Sequence, residues 1–227
     1  MKQIVLLNKK HSNILTEERL REKINNYSQY LDLALKRLFT ESEQGGFWDS
    51  AEGRLIKKLD YSNEQGNISW NPDKTVEYRY GPFGLFGVLY WRFTNSQRKK
   101  EYDHKALQYL DFLKESVSQS GQVDANSSGW DHALVIICLS LGYLNYANEL
   151  PDKIKSYLLA GQKVYDYSIK TWKPGNITDN HDLFLIWAYS WLYEALKHNE
   201  SQIDASAVAQ SLKELSDWVC QPQDSQG

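Results

Sequence analysis

One stretch sets the terms for the rest of the chain: Ser127 to Ala147, SSGWDHALVIICLSLGYLNYA. From Ala133 to Leu144 nearly every side chain is apolar, with Ser140 and Gly142 the exceptions. A helix that is apolar all round has no face to offer water and is buried on all sides. Crossing a bilayer takes about 20 apolar residues, and this run is shorter. The expectation is a central helix of a soluble protein, with a polar and aromatic mouth at Gly129-Trp130-Asp131-His132.

A chain of 227 residues can bury one sizeable core around such a helix. The predicted domain runs from 14 to 220, with flexible ends at 1–13 and 221–227. The net charge of −3 comes without a block of like charge, which argues against nucleic acid or a membrane surface as partner. The two cysteines, Cys138 and Cys220, are far apart and give neither a disulfide framework nor a metal-ligand spacing. No dinucleotide, Walker, HExxH or GxSxG motif occurs, so no cofactor and no metal is expected. The apolar run Ile4 to Leu7 is too short for a secretory signal, whose core needs roughly 7–15 residues. A cytoplasmic protein is expected.

Around the central helix, amphipathic and apolar segments alternate. Thr16–Phe39, Tyr102–Val117, Asp152–Trp172 and Asp204–Val219 carry apolar residues at three- and four-residue steps. Gly81–Phe93, Trp130–Ala147 and His181–Lys197 are apolar nearly all round. Glu41–Tyr80 is non-periodic, with a weak strand signal at Arg54–Tyr61. The apolar helices recur at a spacing of 51 residues, which aligns Tyr80 with Asp131 and Asp182, and Arg79 with Trp130 and His181. The amphipathic helices echo one another as well, Gln29-Tyr30-Leu31-Asp32 returning as Gln108-Tyr109-Leu110-Asp111.

A repeat of about 50 residues with one apolar and one amphipathic helix predicts an all-α, two-layer α/α-hairpin array, apolar helices inside and amphipathic ones outside. A plain solenoid wets both layers. The fully apolar inner layer favours an (α/α)6-toroid-like arrangement, and seven helices make it an incomplete ring. Its apolar flank is an edge of the kind that drives association into a homo-oligomer.

Connections leading into inner helices are long and those leading out are short, so one end of the array collects both the loops and the inner-helix N-termini. Unpaired N–H groups and positive dipole ends at such a mouth suit oxygen-rich ligands. Arg79, Trp130 and His181 are expected around it. Glu77, Asp131, His132 and Asp182 are their neighbours, and Trp48 and Trp70 reach it from the long connection. Rings stack on a sugar, Glu77 and Arg79 grip its hydroxyls, and Asp131, His132, His181 and Asp182 are the candidates for moving protons. The competing assignment is structural. Ser128-x-x-Asp131 and Asp179-x-x-Asp182 have capping-box spacing, and buried histidines are more often hydrogen-bonded than catalytic.

Gly45-Gly46-Phe47-Trp48-Asp49-Ser50, then Gly53 and Lys57, then Glu77-Tyr78-Arg79 opening an inner helix, resembles the first hairpins of N-acylglucosamine 2-epimerase-like proteins; Lys105-Ala106 with Phe112-Leu113 continues the pattern. The resemblance spans about Tyr30 to Leu113. It implies a six-hairpin glycosidase-like toroid that epimerises or isomerises a sugar by proton abstraction next to a carbonyl, with Arg79 on a sugar oxygen. That family's catalytic histidines belong to later hairpins, so none carries over. The expected activity is therefore carbohydrate-directed, either epimerase- or isomerase-like or a glycoside hydrolase using paired acids such as Asp131 and Asp182, on a small-molecule substrate. Two rivals stand beside it. One is a non-catalytic binding or scaffold module completed by a partner chain. The other is a terpenoid-cyclase-like toroid with a dry cavity lined by Phe83, Phe86, Trp187 and Trp191.

Overall fold

The computed structural model describes residues 29–64, 66–94, 101–173, 179–198 and 205–220. The expected helix start at Thr16 and the two flexible ends lie outside them. Residues 29–38 form helix α1. Five further helices match the periodic segments closely: α2 (Tyr80–Thr94), α3 (Asp103–Ser116), α4 (Gly129–Tyr146), α5 (Pro151–Thr171) and α6 (Asp179–Lys197), and α7 (Ser206–Val219) closes the series. The chain divides into two units, one ending at Arg37 and the other running from Leu38 onward. Everything below concerns the second.

Helix α4 is the centre. It packs against α2 and α6 on its flanks, and α3 and α5 also lie against it. Every side chain from Ala133 to Leu141 is fully buried. At about 1.5–3 kcal/mol for each large aliphatic side chain, this helix is the main source of apolar stabilisation. Its thiol is part of that core: Cys138 Sγ–H donates to the Pro82 carbonyl at 3.2 Å, and burial pushes the thiol up, so it stays protonated and inert. The amphipathic helices turn one stripe inward, Ala106, Tyr109, Leu110 and Leu113 on α3 and Ile154, Tyr157, Leu158, Gly161, Val164 and Tyr165 on α5.

The other two apolar helices differ from expectation. On α2, Phe83, Tyr90 and Phe93 are about half exposed, and so is Leu183 on α6. Both helices pack on α4, and α6 also on α7, but these side chains lie on faces that no further helix covers among the described residues. Their rings meet across α4: Phe86 stands edge-on to Trp187 at 4.6 Å, and Trp191 contacts both Tyr90 and Phe93. A terpenoid-cyclase-like cavity needs Phe83, Phe86, Trp187 and Trp191 to stand apart around a dry space. Here Phe86 packs on both Phe83 and Trp187.

The non-periodic segment holds two antiparallel strand pairs. Strands β1 (Trp48–Asp49) and β2 (Arg54–Leu55) form a minimal ladder. Strands β3 (Lys58–Glu64) and β4 (Asn67–Asp73) form a hairpin in which Tyr61 pairs with Trp70. The weak signal at Arg54–Tyr61 thus covers β2 and the start of β3.

At the end of α2 away from the hairpin, Arg92 is 4% exposed and ties three helices together. It holds Asp103 through Nε at 2.8 Å and Nη2 at 3.2 Å, reaches the Asn145 carbonyl at 2.6 Å and Glu149 at 3.0 Å, and lies over the Tyr146 ring. The Tyr146 hydroxyl donates to the same Asp103 carboxylate. This is a buried charge with every side paired, the condition under which burial is tolerated.

Candidate functional site

The link between β4 and α2 delivers Glu77 to the start of α2. Its carboxylate accepts the backbone N–H groups of Arg79 and Tyr80 on Oε2 and of Gly81 on Oε1, all at 2.8–2.9 Å. Three otherwise orphaned donors of a first turn are satisfied by one side chain. Asp131 does the equivalent for α4. Its Oδ2 accepts the Ser128 N–H at 2.6 Å and the Ser128 hydroxyl at 2.8 Å. Both acids therefore close helix starts.

Arg79 bridges the two mouths. Its Nη2 donates to Ser128 Oγ at 3.2 Å, its Nε lies 3.4 Å from Asp131 Oδ1, and its guanidinium sits over the Trp130 ring at 5.3 Å. The Nε contact is an ion pair without hydrogen-bond geometry. Trp130 in turn stacks on Phe184 at 4.2 Å and meets the edge of His181 at 5.7 Å. The three positions aligned by the repeat thus stand in one row, Arg79, Trp130, His181. Burial lowers the His181 pKa, and the Arg79 charge adds to this against the opposite pull of Asp131 and Asp182, so the imidazole is neutral at pH 7.

In front of Arg79 lies a cleft of about 250 Å³. Residues Val76 to Tyr80 form one wall; Asp124, Asn126, Ser127 and Asp131 form the other, with Lys57 at the edge. The second wall belongs to the 117–128 connection. Gly121 seats that connection on α5 with φ +92°, where an added Cβ would fall 2.0 Å from the Lys163 carbonyl oxygen.

Of the expected site residues, Glu77, Arg79 and Asp131 line the cleft, and Trp130 and His181 stand behind Arg79. The rest lie elsewhere. His132 is fully buried between Tyr167 and Trp172. Its Nδ1 lies 2.9 Å from the Ser128 carbonyl and its Nε2 accepts the Val123 N–H at 3.3 Å. The first contact needs a proton and the second a lone pair, which fixes the neutral Nδ1–H tautomer. Both nitrogens serve the backbone, so the expectation of a proton-moving His132 is corrected to a clamp on the connection. Asp182 is 1% exposed and does not line the cleft, so Asp131 and Asp182 do not face a common ligand there. Trp48 is 1% exposed, under Lys105 and against Phe39. Trp70 packs with Tyr61 on the hairpin. Neither reaches the cleft, because the connection folds on itself before arriving at α2. The residues that sequence patterning leaves unassigned are Lys57, Asp124, Asn126 and Ser127. Only the length of the connections carrying them points to a role.

Among the described residues, no group of three or more His, Cys, Asp or Glu side chains is placed to hold a metal ion, and no helix is long and apolar enough to cross a membrane. Comparison with known proteins yields no matching family model, curated protein or solved structure.

Proposed function

We propose that the chain binds a sugar-like, hydroxyl-rich small molecule in the cleft between the start of α2 and the 117–128 connection, in a toroid-like α/α-hairpin scaffold. One observation carries this: Arg79 is held on three sides by Ser128, Asp131 and Trp130 while its edge borders the cleft. A guanidinium pre-positioned in this way grips oxygen acceptors with little loss of side-chain freedom. Tyr78, Asn126 and Ser127 supply the neutral polar groups that such a ligand needs.

Of the two carbohydrate reactions, the epimerase- or isomerase-like one asks less of the cleft, since it needs a single base rather than two facing carboxyl groups. Paired-acid hydrolysis needs two carboxyl groups facing one bond, and the cleft offers Asp131 without Asp182. Proton abstraction needs one neutral base; His181, one ring away from Arg79, is the candidate in this row, though like Asp182 it does not line the cleft. Titration of the protein with a monosaccharide panel by calorimetry tests the binding. Uptake of solvent deuterium at carbon, followed by NMR for wild type and His181→Ala, tests the chemistry. Binding that survives Arg79→Ala undiminished would show that the ligand sits elsewhere.

A second reading rests on the half-exposed Phe83, Tyr90, Phe93 and Leu183. Helices α2 to α7 make three hairpins, and two copies of the chain would supply the six of a closed ring. Light scattering after size exclusion separates a dimer from a monomer, and a monomer at high concentration rejects this reading.

A further inference from the structure

We infer that the ligand of this cleft is acidic: a single sugar ring carrying a carboxylate or a phosphate. The inference rests on the sugar-binding reading and adds the charge. Three carboxylates line the cleft, and the structure engages each of them. Both Glu77 oxygens take backbone N–H groups of α2. Asp131 takes Ser128 through Oδ2 and faces Arg79 through Oδ1. Asp124 turns Oδ1 to the Asn126 N–H at 3.4 Å within its own loop.

The cations are placed differently. Lys57 is exposed at the cleft edge; its charge helps lower the Asp73 pKa, but it makes no hydrogen bond or close ion pair among the described residues. Arg79 uses Nη2 and Nε on its neighbours, while Nη1 has no partner among the described residues. The starts of α2 and α4 are already closed by Glu77 and Asp131, so the attraction rests on the two side-chain cations. A ligand entering the cleft therefore meets carboxylates already held by N–H and O–H donors and cationic groups with open donors. The planar guanidinium edge suits a carboxylate or phosphate, and a lysine acts on either as a point charge. Size narrows the class further. Pockets for drug-sized ligands run from about 300 to 1,000 Å³; at about 250 Å³ this open cleft matches a single ring.

The test is calorimetric titration of the full chain with glucose, glucuronate, glucose 6-phosphate and inorganic phosphate, each at low and high salt. The expected result is that glucuronate or glucose 6-phosphate binds about tenfold or more tightly than glucose, the ratio that one charge-assisted contact sets. High salt reduces that ratio. Whichever of the two wins names the acidic group. Lys57→Glu, a substitution at an exposed position, lowers the ratio without moving the urea midpoint. Glucose binding as tightly as both acidic sugars overturns the inference and leaves the sugar reading standing. Inorganic phosphate binding as tightly as glucose 6-phosphate shows that the ring contributes nothing, and no binding at all removes the site; both overturn the sugar reading and the inference together.

Discussion

Replacing His132 with Leu is expected to destabilise the protein by about 2–4 kcal/mol. Two contributions set this figure. The Val123 N–H, in a residue 7% exposed, loses its acceptor on Nε2, and a buried donor without a partner costs about 1–3 kcal/mol. The imidazole also leaves its places on Tyr167 at 5.2 Å and Trp172 at 4.6 Å, contacts worth about 0.5–1.5 kcal/mol each for aromatic pairs. Leucine fills much of the volume and recovers part of that. Urea unfolding followed by circular dichroism measures the change as a shift in midpoint at constant slope. Acid supplies a second arm of the same experiment. Burial holds the folded His132 pKa below its ordinary value of 6.5, with the Ser128 carbonyl and Asp131 pulling the other way. The unfolded chain therefore binds the proton first. Stability is complete above pH about 6.5 and falls as pH drops below it, with a slope of at most about 1.4 kcal/mol per pH unit from this group. His181, also lowered, contributes in the same direction. The difference between wild type and His132→Leu should therefore shrink on acidification through this window. A midpoint that does not move, or a pH profile identical in the two proteins, refutes the clamp.

Three further expectations follow from other contacts. Arg92→Ala leaves the Asp103 carboxylate without its bidentate partner and should cost about 3–5 kcal/mol by the same urea assay; Arg92→Met, which keeps apolar volume but not charge, should differ little from it because in both Asp103 keeps only the Tyr146 hydroxyl. Gly81→Ala places a Cβ 2.2 Å from the Tyr109 hydroxyl and 3.0 Å from the Leu55 carbonyl oxygen, so α2 must shift and the midpoint should fall by about 1–3 kcal/mol; an unchanged midpoint would mean that Tyr109 swings away freely. Arg79→Ala removes an exposed bridge and should leave stability within about 1 kcal/mol, while ligand binding in the calorimeter falls at least tenfold.

The helices were legible because burial and periodicity agree in them. Nothing between Ala133 and Leu144 except Ser140 and Gly142 could face water comfortably, and α3 and α5 carry their buried residues at helical steps. The row Arg79, Trp130, His181 was legible for a related reason. A structural repeat sets equivalent positions side by side whatever their chemistry. The hairpin β3–β4 was not, because most of its residues are exposed; with no buried face there is no alternation of apolar and polar residues to read. The structural reading of His132 was among the alternatives, but the orientation of His132 and Asp182 away from the cleft was not legible. Their neighbours in sequence look like a mouth, yet one helical step turns a side chain from the cleft into the core, and the phase of α4 and α6 at their first turns is fixed by packing. Lys57 and Asp124 enter the cleft only through the paths of two connections, and no local pattern encodes such a path.

The enclosure of α4 has a kinetic consequence. Its amides have neighbours on every side, so they exchange with solvent only when the whole unit opens, and their exchange rates report global stability. Asp131, in the first turn of that helix, forms part of one cleft wall. The adjoining stretch, Asp124 to Ser127, hangs on the Val123–His132 contact and a few bonds within its own loop. The cleft wall thus joins the first turn of a deeply packed helix to a loop held by few contacts. In an exchange experiment the amides of 121–127 should relax orders of magnitude sooner than those of 133–141. A ligand that bridges the two would be seen first as protection of the faster set.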